Sequence, residues 1–206
     1  MGILKSYNVV RNEGIASNIF ESLFEDIPFT QISYSSPSEY VKMYWDKYIS
    51  SPNRNVSLNG NIFELIMATL FIRENILPLY LQAKVAFVPN VEYDAILYCK
   101  EFGPIALSMK TSLRERYKQA DLEAIALKYV HRRAKSFLLT LVDHESEIVN
   151  CKIKSGDVIG LNKSINCLSF QLDELIEDFK QINFEQAGNV PIIESNLIIT
   201  SQKPLN

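Results

Sequence analysis

Two charged residues lie at the ends of adjacent predicted strands, where their types would allow phosphate chemistry. Asp94 opens the apolar run AILYC, and Lys110 closes the run PIALSMK. Because side chains alternate along a strand, Lys110 shares a face with Ser108. A carboxylate and an ammonium group at neighbouring strand ends can bind a divalent cation and stabilise an attacking water or a developing phosphate charge. We therefore expect the chemistry of this chain at that end of the sheet.

A second acid on the strand is missing, because a serine stands at position 108. Glu123 offers a replacement from the helix that follows. At about 100° per residue, Glu123 lies on the same helix flank as Arg116 and Gln119, beside the apolar stripe that faces the core. We expect this glutamate to reach back toward the strand ends and to serve as a displaced metal ligand.

The elements that position these residues follow from hydrophobic periodicity. The pattern predicts an α/β (α+β layered) chain with a mixed central β-sheet flanked by helices. We expect a single domain over 1–206, with a helical part at 1–55, a core at 60–145 and C-terminal strands and a helix at 146–206. The expected helices are IASNIFESLFEDI, SEYVKMYWDKYIS, GNIFELIMATLFIRENI and QLDELIEDFKQI; the expected strands are KVAFVP, YDAILYC, PIALSMK, SFLLTLVD, EIVNCKI and KSINCLSF.

The helix that carries Glu123 has a sequence signal for its start. Ser112 and Glu115 have the spacing of a capping box, which predicts that the helix begins near Ser112. The apolar stripe along it consists of Leu113, Tyr117, Ala120, Ala124 and Leu127. Glu115 is therefore the expected capping partner of Ser112.

The charge is distributed unevenly along the chain. The net charge is −3. Residues 110–135 nevertheless hold eight Lys and Arg against three acids, a local charge of +5 that leaves −8 for the rest. A basic stripe on an acidic body can steer phosphate, although such a run is also typical of a solvated helix face.

Composition narrows the class of protein. An apolar fraction of 47% and a charged fraction of 22% are values of a folded globular chain. The three Cys and two His residues are too few and too scattered for a disulfide framework, and they do not have the spacing of zinc ligands. This favours a location in a reducing cytoplasm. The sequence contains no run of about 18 apolar residues and no signal-peptide pattern, so we expect no membrane association and a cytoplasmic location.

The segment SMKTSLRERYKQADLEA, residues 108–124, resembles a known motif. It is similar to the Lys-Thr-Thr-x-(Lys/Arg)-(Asp/Glu)-Arg-Trp-x-Gln-x-x-x-Glu-Ala segment of PD-(D/E)xK Type II restriction endonucleases of the EcoRII/PspGI branch, which recognise CC/GG sites and carry a migrated glutamate. Tyr117 stands where that pattern has tryptophan, and Asn90 and Val91 precede Glu92 where the superfamily name has Pro-Asp. Residues 60–145 are covered by the resemblance.

The resemblance implies a restriction-endonuclease-like fold and a role for each matching residue. Asp94 and Glu123 would bind Mg²⁺, Lys110 would contact the scissile phosphate or its water, and Glu64 would be a further acid of the catalytic group. The residues implied in DNA binding are Arg114, Glu115, Arg116, Lys118 and Gln119. An arginine can hold guanine through two hydrogen bonds while a carboxylate accepts one from cytosine.

Several alternatives stay open from the sequence. Glu64 also suits the polar edge of a buried helix, and Asp94 also suits a turn. Gln119 also suits a phosphate contact or a structural position. Glu115 either caps the helix with Ser112 or reads a base as the resemblance implies. The expected function is Mg²⁺-dependent cutting of double-stranded DNA at a short site containing CC/GG, which leaves 5′-phosphates. Two active sites for two strands imply a homodimer. The alternatives are a repair or nicking nuclease of the same superfamily, a catalytically inactive DNA-binding module, and an interaction protein without nucleic acid.

Overall fold

The computed structural model describes residues 2–24, 27–188 and 193–200. Residues 25 and 26 of the expected helix IASNIFESLFEDI lie outside these ranges. The helices are α1 (Ile3–Ser6), α2 (Ile15–Ser22), α3 (Pro37–Ser50), α4 (Asn59–Arg73), α5 (Arg116–Val130), α6 (Asp143–Ser155) and α7 (Phe170–Lys180), with a 3₁₀ turn at Val56–Leu58. The strands are β1 (Leu79–Val85), β2 (Tyr93–Cys99), β3 (Gly103–Lys110), β4 (Lys135–Thr140), β5 (Lys163–Asn166), β6 (Ile193–Glu194) and β7 (Leu197–Ile199).

The strands of the described residues form one mixed sheet. Its order is β5-β4-β3-β2-β1-β6, and β7 also pairs with β1. Strands β1, β2 and β3 are an antiparallel meander, whereas β3, β4 and β5 are parallel. Helices α5 and α6 make the two crossovers that parallel neighbours require. The predicted mixed central sheet flanked by helices is confirmed.

Helix α4 lies inside the molecule, as its sequence, apolar on most sides, predicts. Between positions 62 and 72 every residue is buried except Glu64. Its side chains join α2, α3 and α7 in the largest core cluster, on one face of the sheet. Leu127 of α5 and Val149 of α6 belong to two smaller clusters on the other face. Helices therefore cover both faces of the sheet. Glu64 is the residue of this buried stretch of α4 that stays partly exposed.

Local signals fix several helix ends. The Ser36 hydroxyl accepts a hydrogen bond from the Glu39 N–H at 3.3 Å, and Pro37 occupies the first position of α3. Helix α6 ends at Ser155 and is followed by Gly156, whose φ of +84° is the left-handed conformation that glycine adopts without a steric cost.

Three expected strands differ from the structure. The run EIVNCKI was predicted to be a strand, but it lies within α6, where Ser146 and Val149 are buried at helical spacing. The strand expected at KVAFVP lies earlier, at Leu79–Val85, because LYLQAKV pairs with β2, and residues 86–89 of the expected run are not in a strand. Only Lys163–Asn166 of KSINCLSF is extended, and α7 begins at Phe170. Periodicity over four to seven residues does not separate a short helix from a strand.

No helix within the described ranges has both the length and the apolar character that crossing a membrane needs.

Candidate active site

Asp94 and Lys110 meet at one end of the sheet. Because β2 and β3 are antiparallel, the start of β2 lies beside the end of β3. Asp94 Oδ2 accepts hydrogen bonds from the Lys110 ammonium at 2.7 Å and from the Met109 N–H at 2.6 Å. The side chains of Lys110 and Asp94 are only 19% and 15% exposed. The pair is therefore a short, charge-assisted and largely buried contact at the edge of the core.

Glu64 approaches the same place from α4. Its carboxylate accepts a hydrogen bond from Gln82 Nε2 at 2.8 Å. Burial raises the pKa of Glu64 to about 7, and the negative charge of Asp94 adds to the rise, whereas Lys110 and the Gln82 hydrogen bond oppose it. The charges of Asp94 and Lys110 therefore both influence the ionisation of Glu64.

A change of face in β1 brings Gln82 to Glu64. Leu79 and Leu81 pack in the core cluster that contains α4, whereas Ala83 and Val85 pack in the cluster on the other face. Between them Gln82 has a φ of +46°, an uncommon conformation for a residue other than glycine. Sequence reasoning missed Gln82, because no local signal predicts a change of face inside a strand.

Glu123 comes from α5, as its helix position predicts. Gln119 Nε2 donates a hydrogen bond to Glu123 Oε1 at 2.7 Å, and the Tyr93 hydroxyl donates one to the Glu123 carbonyl at 3.0 Å. Burial raises the pKa of Glu123, and Asp94 raises it further, while the Gln119 hydrogen bond and Lys110 lower it. The Tyr93 contact ties this part of α5 to the start of β2, one residue before Asp94.

The donor set of this cluster suits a hard divalent cation. Asp94, Glu64 and Glu123 share one nearby ammonium group, so the cluster carries excess negative charge. Ser108, the neighbour of Asp94 on β3, has a buried hydroxyl with no hydrogen-bond partner in the described part of the chain. In the described residues no three His, Cys, Asp or Glu side chains form a preassembled metal cluster. Mg²⁺ keeps several waters and needs only one or two carboxylates, so the residues fit it.

The start of α5 differs from the capping-box prediction. The helix begins at Arg116, and Glu115 makes no capping hydrogen bond with its side chain. Glu115 instead pairs with Lys118, in an ion pair whose side chains are largely exposed. The N–H groups of Leu113 and Arg114 in the turn donate hydrogen bonds to the carboxylate of Glu145, which lies in α6 and is remote in sequence. Local sequence predicted the wrong acceptor because Glu145 is about thirty residues away along the chain.

The residues expected to bind DNA lie on the surface next to the carboxylate cluster. The side chains of Arg114, Glu115 and Arg116 are exposed at the turn that leaves β3 just after Lys110. Lys118 and Gln119 follow on the first turn of α5 and are also exposed. Glu64 and Gln82 also line a cleft of about 710 Å³, together with residues 9–12 and 14–17.

Comparison with known structures identifies the fold. The structure is similar to the restriction endonuclease PspGI, solved in complex with its substrate DNA, with a TM-score of 0.53 and 17% sequence identity. The similarity covers 85% of this chain and 83% of that one. No protein-family model and no curated protein matches the chain. This chain therefore has a restriction-endonuclease-like fold.

Proposed function

We propose that this protein is a Mg²⁺-dependent endonuclease that hydrolyses double-stranded DNA. One observation carries the proposal: the Asp94–Lys110 contact of 2.7 Å lies within electrostatic reach of both Glu64 and Glu123, beside an exposed cationic turn. A protein that only binds DNA gains nothing from three acids next to phosphates, because like charges repel. The similar structure of PspGI bound to DNA supports the same partner for this chain.

Hydrolysis would proceed by addition of a water oxygen to phosphorus and loss of the 3′-oxygen, which takes up a proton. The 5′-phosphate then remains on the second fragment. Mg²⁺ held by Asp94 and Glu123 would polarise the phosphate and lower the pKa of a bound water. The Lys110 ammonium, fixed by Asp94, would donate a hydrogen bond to a phosphate oxygen or to the attacking water. Glu64 would add negative charge at the edge of the site and align Gln82.

Site recognition is assigned to the turn between β3 and α5. Arg114 and Arg116 would hydrogen-bond guanine edges in the major groove, and Glu115 would accept from cytosine, which favours CC/GG steps. Lys118 and Gln119 would contact the backbone or the neighbouring bases. Cutting both strands at such a site requires two copies of the active site, so we propose a homodimer of the Type II class.

The test is digestion of unmethylated phage DNA by the purified protein in Mg²⁺ or EDTA, followed by sequencing of the fragment ends. The wild type is expected to give discrete Mg²⁺-dependent fragments with 5′-phosphates. Lys110→Ala should abolish them, whereas Lys100→Ala should not. Lys100 is a matched control because it lies at the opposite end of the same hairpin, where its exposed ammonium pairs with Glu185.

The other outcomes separate the alternatives. Nicked circles without linear product would indicate a nicking or repair nuclease. DNA binding with no cutting in any divalent metal would indicate an inactive binding module. If the protein neither binds nor cuts DNA, the interaction protein without nucleic acid is the remaining alternative, and the proposal is overturned.

A further inference from the structure

Glu145 in α6 holds the turn that precedes α5. Its Oε2 accepts a hydrogen bond from the Leu113 N–H at 2.5 Å, and its Oε1 accepts one from the Arg114 N–H at 3.3 Å. Both carboxylate oxygens are thus used on two successive backbone amides. No residue of the turn itself supplies this acceptor, since Glu115 makes no capping bond.

The turn needs an external support because of its backbone. Arg114 has a φ of +43°, in the left-handed region that side-chain-bearing residues rarely adopt. A conformation of this kind persists only where surrounding contacts enforce it. Two contacts do so here: the buried Leu113 side chain packs in the same cluster as Val149, and the Glu145 carboxylate binds the amides.

Glu145 is itself fixed relative to the sheet. It lies in the first turn of α6, where the helix N-terminus stabilises a negative charge. Asp143 in the same turn accepts a hydrogen bond from Asn166 Nδ2 at 2.8 Å, which ties α6 to the end of β5. The orientation of the turn therefore follows the sheet that also carries Asp94 and Lys110.

We propose that Glu145 is the positioning residue for DNA recognition: by binding the Leu113 and Arg114 amides it sets the direction in which Arg114 and Arg116 project from the turn. This inference rests on the proposed function, because the proposed function assigns base reading to that turn. Glu145 does not contact the DNA in this scheme. It acts by restricting the turn to one conformation, so its loss should affect discrimination between sites more than phosphodiester hydrolysis.

The experiment compares Glu145→Ala, Glu145→Gln and Glu147→Ala with the wild type. Glu147 is the matched control because it is an exposed glutamate on the same helix. The first measurement is amide hydrogen exchange of Leu113 and Arg114 by NMR. The second is fragment-end sequencing of cut phage DNA, which gives the cutting rate at the preferred site relative to the next-best site.

Glu145→Ala should lose protection of both amides and reduce the site preference by about tenfold or more, the effect of one misplaced base contact. Glu145→Gln keeps one acceptor oxygen and should lie between Glu145→Ala and the wild type. Glu147→Ala should match the wild type in both measurements.

The two measurements distinguish failure of this inference from failure of the proposed function. Unchanged amide protection in Glu145→Ala, or lost protection with an unchanged site preference, would refute the positioning role while cutting persists. A proportional loss of cutting at all sites, with preference intact, would assign Glu145 to stability and also refute it. A wild type that neither cuts nor binds DNA would refute the proposed function, and the role of Glu145 in recognition with it.

Discussion

Replacement of Glu64 by glutamine should make the protein more stable at alkaline pH and leave it unchanged at acidic pH. The pKa of Glu64 is raised from its ordinary value of 4.5 to about 7, chiefly by burial. The ionised form is therefore the unfavourable one in the folded state. A rise of this size corresponds to about 3 kcal/mol as an upper limit.

The direction with pH follows from linkage. Below about pH 4.5 the carboxyl is protonated in both the folded and the unfolded state, so its burial carries no electrostatic cost. Between about pH 4.5 and 7 the unfolded state releases the proton first, and the folded protein loses stability. Above about pH 7 the whole cost is present. Glu64→Gln removes the charge and keeps an oxygen that can still accept the Gln82 hydrogen bond.

The assay is urea unfolding followed by circular dichroism at about pH 4, below the ordinary pKa of a glutamate, and at about pH 8, in EDTA. The difference between Glu64→Gln and the wild type should approach zero at the lower pH and reach up to about 3 kcal/mol at the higher, equivalent to a melting-temperature rise of about 6 to 12 °C for a chain of this size. Glu147→Gln, on an exposed position of α6, is the control and should show no pH-dependent difference. Equal effects of Glu64→Gln at both pH values, or a loss of stability at alkaline pH, would refute the electrostatic reasoning.

Three further predictions follow from the same geometry. Addition of about 10 mM Mg²⁺ should raise the melting temperature of the wild type and not that of Asp94→Asn, measured by thermal denaturation, because a ligand that binds only the folded state stabilises it; an equal shift in both proteins would exclude Asp94 as a ligand. Arg116→Ala should weaken binding of the mapped site by about 1 to 3 kcal/mol in a filter or anisotropy assay, with relaxed specificity at one base pair; uniform weakening across sequences would assign Arg116 to the backbone instead. Asp121→Ala should lower the free energy of unfolding, measured in urea, by about 3 kcal/mol. The buried Asp121 carboxylate accepts hydrogen bonds from the Gly160 and Leu161 N–H groups at 2.6 and 3.2 Å, and these would be lost. A urea midpoint equal to that of the wild type would contradict this role of Asp121.

The proximity of Asp94 and Lys110 could be predicted from sequence because it depends on local rules. Side chains alternate along a strand, and a short hairpin fixes which residues of two antiparallel strands are neighbours. Residues 100–102 join β2 to β3, so the start of one strand meets the end of the other. The flank of α5 that carries Glu123 could also be predicted from the sequence, because helical periodicity over fifteen residues is a strong signal.

The supports of the site could not be predicted, because each one is a contact between distant segments. Gln82 reaches Glu64 only through a change of face inside β1, and Glu145 takes the place of the expected capping partner from another helix. Short runs such as EIVNCKI suited a strand and a helix equally, and packing against β5 decided in favour of the helix.

The sequence by itself determined the strand pair β2 and β3, the helix that follows it, and the identity of the charged groups at one end of the sheet. Tertiary structure alone decided the surroundings of those groups: the burial that raises the pKa of Glu64, the tyrosine contact that ties α5 to β2, and the carboxylate that holds the turn before α5. The physical reason is that alternation and helical spacing act within one element, whereas desolvation and long-range hydrogen bonds exist only once separate elements are packed together.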